Sequence, residues 1–160
     1  MGYTLEAVIA GAALIREATV DLPRAQRFGL SQGLALVPLT DALHDSRPLG
    51  ERPFREFHLL PAWLSRWATE WSRGGPLAYV EIDSFGGTMA QAAAVWEHGE
   101  LTLGPLRVGA DEPAPAEGFP LSKALRRLGV TVGPHDQDEF TAVGLGAHRH
   151  TEDWAEHACD

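Results

Sequence analysis

The stretch Leu77-Ala-Tyr-Val-Glu-Ile-Asp83 constrains the fold of this chain more than any other. Its period of two sends Ala78, Val80 and Ile82 to one face of a strand and Tyr79, Glu81 and Asp83 to the other. A second strand-like run spans Ala92 to Trp96, and His98-Gly99 then offers a two-residue turn into a return strand from Leu101 to Leu103. That turn sets Trp96 opposite Leu101, Ala94 opposite Leu103 and Glu97 opposite Glu100. Gly86 and Gly87, between the first two runs, permit positive φ and so favour a turn or a bulge. A phosphate-cradling loop is not indicated there, because no lysine follows the glycines and G-x-G-x-x-G is absent. Ser84 lacks the flanking glycines of a nucleophile elbow.

The other elements fit around this antiparallel nucleus. Tyr3 to Ala10 reads as a strand and Ala12 to Thr19 as a helix, broken at Asp21-Leu22-Pro23. Short strands are expected over Ala25–Leu30 and Leu34–Leu39, with Thr40 capping a brief helix to Leu43. Pro61 and Gly74-Gly75-Pro76 bracket the clearest helix. In it Trp63, Trp67 and Trp71 recur every fourth residue, an aromatic ridge best assigned to the core. Leu121 to Leu128 is amphipathic and stops at Gly129. Residues 44–57 read as a polar loop or insertion and 109–120 as a proline-rich acidic linker. Residues 151–160 read as a flexible tail, with one helical turn capped by Thr151. With 160 residues, 44% of them hydrophobic, the expectation is one α+β domain over 1–160, an antiparallel sheet with helices packed on one face.

Charge narrows the function. The formal net charge is −9, and it is segregated. Residues 1–75 carry eight acids and eight bases, whereas 76–160 carry fourteen acids and five bases. An acidic half without a basic stripe argues against nucleic acid and for a basic protein partner. The candidate partner-binding residues are Glu81, Asp83, Glu97 and Glu100, with Tyr79 as an anchor; the plainer reading is the wet face of a sheet. No apolar run reaches the roughly 20 residues of a membrane span. The apolar stretch from Val8 to Ile15 has no basic segment before it, so no signal peptide is expected. Cys159 is the single cysteine, which forbids an internal disulfide and makes a cytoplasmic location the expectation. Twelve arginines against one lysine, with 17 glycines and 11 prolines, look like the product of a high-GC bacterial genome.

The histidines give the rival reading. His148, His150, His157 and Cys159 supply ligand types for a tetrahedral zinc site, in a spacing that matches no standard finger. A metal-binding protein or a small hydrolase using that cluster is the alternative to a non-catalytic binder. His44 and His58, which flank the polar loop, are further candidates for a catalytic set by residue supply alone. No other cofactor is indicated.

The segments PLAYVEIDSFGGTMAQAAAVWEHGELTLGPL and VGLGAHRHTEDW resemble those of small proteins of high-GC bacteria. The strand–FGG–strand portion also resembles small immunity proteins that accompany bacterial toxins. That resemblance implies a cytoplasmic binder that occludes a toxin's active site; it transfers no catalytic residue.

Overall fold

Alternation along the central strands determines which layer each half of the chain can form. The computed structural model describes residues 2–48, 50–85, 88–113 and 115–156. The strands are β1 (Tyr3–Gly11), β2 (Phe28–Gly29), β3 (Leu34–Pro38), β4 (Leu77–Phe85), β5 (Thr88–Glu97) and β6 (Glu100–Val108). The helices are α1 (Ala12–Ala18), α2 (Asp41–Asp45), α3 (Ala62–Trp71), α4 (Pro120–Arg127), α5 (Glu139–Val143) and α6 (Thr151–Glu156). The strands form one open sheet in the order β2-β3-β1-β4-β5-β6, with neighbouring strands antiparallel throughout. The fold is α+β in a single domain, as expected.

The helices cover both faces of the sheet, not one. Val8, Ala10, Leu77, Tyr79, Ala92, Ala94 and Trp96 form a core with α1, α2 and α3. Leu5, Ala7, Ile9, Ala78, Val80, Ile82, Ala93 and Val95 form a second core with α4, α5 and α6. The physical reason lies in β1, β4 and β5, whose middles are apolar on both sides. A strand of that kind must be covered twice. The tryptophan ridge serves the first core: Trp63 and Trp67 are buried and Trp71 is packed at its border. Trp67 Nε1–H donates to the Ala18 carbonyl at 3.3 Å, which ties α3 to α1.

Turn chemistry follows the sequence closely, but the β5–β6 register slips twice. His98 and Gly99 both have positive φ, as a tight hairpin demands, and Glu97 pairs with Glu100. Trp96 pairs with Leu101 as expected, but Val95, not Ala94, stands opposite Leu103 because the register slips there. A second slip follows at Gly104-Pro105. Gly104 has φ +85, and a Cβ there would sit 2.6 Å from the Ala93 carbonyl oxygen, so only glycine fits. Pro105 has no N–H to donate, which an edge strand tolerates. Gly86 and Gly87 lie outside the described residues, although Phe85 and Thr88 on either side are paired.

The expected flexible tail is corrected over 151–156. These residues form α6, and its Trp154 is fully buried, edge-on to Phe28 at 4.7 Å between ring centroids. Thr4 N–H donates to the Arg149 carbonyl at 2.7 Å, which docks the segment onto the start of β1. A large aromatic side chain supplied the reason to order these residues. Trp154→Ala is expected to destabilise the protein by about 3–5 kcal/mol, measurable by urea unfolding; a loss below about 1 kcal/mol would show that α6 is not part of the folded unit.

Candidate functional site

The first core does not extend to the end of the sheet. Along β1 the residues on that face run Ala10, Val8, Glu6, Thr4, and along β4 they run Leu77, Tyr79, Glu81, Asp83. Each row changes from apolar to polar at the same level, because Glu6 stands opposite Glu81 in the register. Beyond that line a pocket of about 330 Å³ opens, lined by Thr4, Glu6, Glu81, Asp83, Ala90 and Arg107 of the sheet and by His58, Leu59 and Thr151 around it. Ala90 and Ala92 on β5 keep its sheet side low, since neither carries more than a methyl group.

Two carboxyl groups side by side and out of water need partners. Glu6 is 6% exposed and Glu81 8%. Glu81 accepts the backbone N–H groups of His58 at 2.8 Å and Leu59 at 3.0 Å. The Tyr79 hydroxyl donates to Glu81 Oε2 at 2.7 Å and lies 3.1 Å from Glu6 Oε2, so it bridges the pair. His44 Nε2 sits 2.9 and 3.1 Å from the two oxygens of Glu6. The Glu6 backbone N–H donates to Thr151 Oγ1 at 3.1 Å. Arg107 closes one side, donating to the Glu56 carbonyl at 3.1 Å and reaching His58 Nε2 at 2.9 Å.

Burial pushes the Glu6 carboxyl above its ordinary value, against the opposing pull of His44 and of the Tyr79 hydroxyl. The hydrogen bond to Glu6 pushes the His44 imidazole up, and burial opposes it. Burial, reinforced by both glutamates, raises the Tyr79 phenol. A shared proton between Glu6 and His44 is consistent with the geometry. Among the described residues His44 Nδ1 has no hydrogen-bond partner.

The polar loop packs beside this site and leads into its wall at His58 and Leu59. Its Phe57 is buried and meets Tyr79 edge to face at 5.0 Å, and Phe54 packs behind it. That anchoring delivers the amides of His58 and Leu59 to Glu81. His44 and His58, the two histidines flanking the loop, are both brought to the site, one by its ring and one by both its amide and its ring.

The expected partner-binding residues do not share one patch. Tyr79 is fully buried and offers no surface to an anchor, and Glu81 is buried; Asp83 is exposed at the pocket. Glu97 and Glu100 lie at the far end of the β5–β6 hairpin. Glu97 is seven residues beyond Ala90, the partner of Asp83, and thus about 23 Å away along the extended strand. Glu97 is paired with Arg127 at 2.9 Å. Alternation found Glu81 and Asp83, but Glu6 and Arg107 were missed. The signal for Glu6 was a lone acid at an inward position of an otherwise apolar strand.

The histidine cluster is not assembled within the described residues. His148 packs edgewise against Phe28 at 5.4 Å and Trp154 at 4.9 Å, while His150 is exposed beside Thr4. His157 and Cys159 lie outside the described residues. Among the described residues no group of three or more His, Cys, Asp or Glu is placed to hold a metal ion, and no helix is long and apolar enough to cross a membrane. Comparison with protein-family models, curated proteins and solved structures finds no match.

The raised groups make stability depend on pH. His44 contributes most below its ordinary value of 6.5, and that contribution is lost as pH rises through its raised value in the folded protein. Glu6 acts in the same sense, since its neutral form is the one favoured by burial. Urea midpoints are expected to fall between pH 6 and pH 8.5, with a flatter profile in His44→Gln; identical profiles for the two proteins would refute the coupling. Tyr79→Phe, which leaves the glutamates without their shared hydroxyl, is expected to cost about 1–3 kcal/mol in the same measurement.

Proposed function

We propose that this chain is a non-catalytic, acidic protein-binding module that takes a cationic side chain of a basic partner into the pocket at the uncovered end of its sheet. The observation that carries this reading is the pair of buried glutamates, Glu6 and Glu81, lining an open pocket with exposed Asp83. A carboxylate has about four acceptor positions. Three donors approach Glu81, so its oxygens keep capacity for a further one. Leu59, 47% exposed, adds apolar surface beside the acids. Such a combination suits lysine or arginine, whose aliphatic stems prefer apolar contact while the head seeks carboxylates.

The net charge of −9 would steer a basic partner before contact, raising the association rate more than the final affinity. Asp83 supplies the exposed part of that attraction, and Glu81 supplies the specific contact. An immunity protein that occludes a basic toxin is the form of this reading that the strand–FGG–strand resemblance supports. The site centres on Glu6, Glu81 and Asp83; Glu97 and Glu100 serve as distant controls.

The test starts with cross-linking and capture of the partner from native cells, followed by calorimetry on the purified pair. Glu81→Gln and Asp83→Asn together are expected to weaken binding by about tenfold or more and to flatten its salt dependence. Glu97→Gln with Glu100→Gln is expected to leave affinity within about twofold. Unchanged affinity in the first double variant would sink the pocket as the contact.

A further inference from the structure

On the opposite face of the sheet a second pocket, of about 240 Å³, opens beside the start of β5. Its walls include Tyr3, Ile82, Met89, Phe119, Leu121 and Phe140. Tyr3 and Phe140 meet edge to face at 5.3 Å, and the Tyr3 hydroxyl is engaged elsewhere, donating to the Leu145 carbonyl at 2.7 Å. The aromatic rings therefore present apolar surface.

One polar side chain of this pocket is poorly matched. Gln91 is 6% exposed, and the Leu121 N–H donates to its Oε1 at 3.0 Å. That bond fixes the orientation of the amide, because only its oxygen can accept. The nitrogen end then faces Met89, whose Sδ lies 2.8 Å away. A side-chain amide nitrogen carries two N–H donors, and a thioether is a weak acceptor. Among the described residues that sulfur is the one acceptor within reach of the Gln91 nitrogen. Buried donors normally find a full-strength partner. Met89 is 39% exposed, unbranched and able to swing aside.

We propose that this pocket binds a single-ring aromatic molecule bearing a carbonyl oxygen. The ring lies among Tyr3, Phe119 and Phe140, and the oxygen accepts from Gln91 Nε2–H in place of the Met89 sulfur. This site is separate from the carboxylate pocket, which opens on the other face, and does not depend on it.

The chain holds two methionines, Met1 and Met89, so methyl-¹³C-methionine labelling gives a direct reporter at the pocket mouth. Titration of the intact protein with acetophenone is expected to shift the Met89 methyl signal saturably and leave Met1 in place. α-Methylstyrene, of closely similar shape with a CH2 group in place of the oxygen, is expected to bind about five- to tenfold more weakly. Gln91→Glu keeps the oxygen that accepts from Leu121 and replaces the donor end; at pH 8 it is expected to erase the preference for acetophenone. Absence of a saturable Met89 shift, equal affinities for the two probes in the unaltered protein, or a preference that survives Gln91→Glu would each overturn the proposal. The probe comparison stands on the unaltered protein, so a poorly folding variant does not protect the idea.

Discussion

Two glutamates stand opposite each other on adjacent strands, out of water, at the point where the core of one face ends. Unpartnered, such a pair would be strongly unfavourable. The surrounding structure is arranged to answer them. Tyr79 inserts a hydroxyl between them, α2 brings His44, α6 brings Thr151, and the loop before α3 brings two backbone amides. Elements far apart in sequence are thereby joined at one place, and the same groups line the pocket through which a partner would enter.

The division of the chain between faces follows from the sheet. The first three helices, with the tryptophan ridge, cover one face; the last three cover the other. The segregated charge of the sequence thus becomes a difference between layers of the molecule, with the acid-rich second half forming β4, β5, β6 and the helices of the second face. Several of its acids are neutralised locally, as Glu97 is by Arg127, Glu139 by Arg126 and Glu117 by Lys123. The carboxylate pocket is different in kind, because its two glutamates are held mainly by neutral donors and by one histidine.

Much of the fold was legible because local chemistry and tertiary packing agreed. Thr40 caps α2 by accepting the Leu43 N–H at 3.2 Å, α3 begins just after Pro61, and His98-Gly99 turns the hairpin as read. The register slip near Leu103 was not legible, since alternation in an edge strand with few apolar residues specifies register weakly. The coverage of both faces was signalled by the unbroken apolar run Ala92-Ala-Ala-Val-Trp96, which a strand with one wet face does not need. The loop over 44–57 read as polar because charged residues dominate it, yet Phe54 and Phe57 make it part of the core.

By its own order of residues the chain determined its strands, its tight turns, its aromatic helix and the shared side of Glu81 and Asp83. These depend on periodicity and on neighbours a few residues apart, which a single sequence displays in full. Long-range pairing determined that Glu6 faces Glu81, that Tyr79 is buried between them and that Glu97 and Glu100 lie far away. Strand order and register set those distances, and no local pattern encodes them, because the residues concerned lie as many as 75 positions apart in the chain.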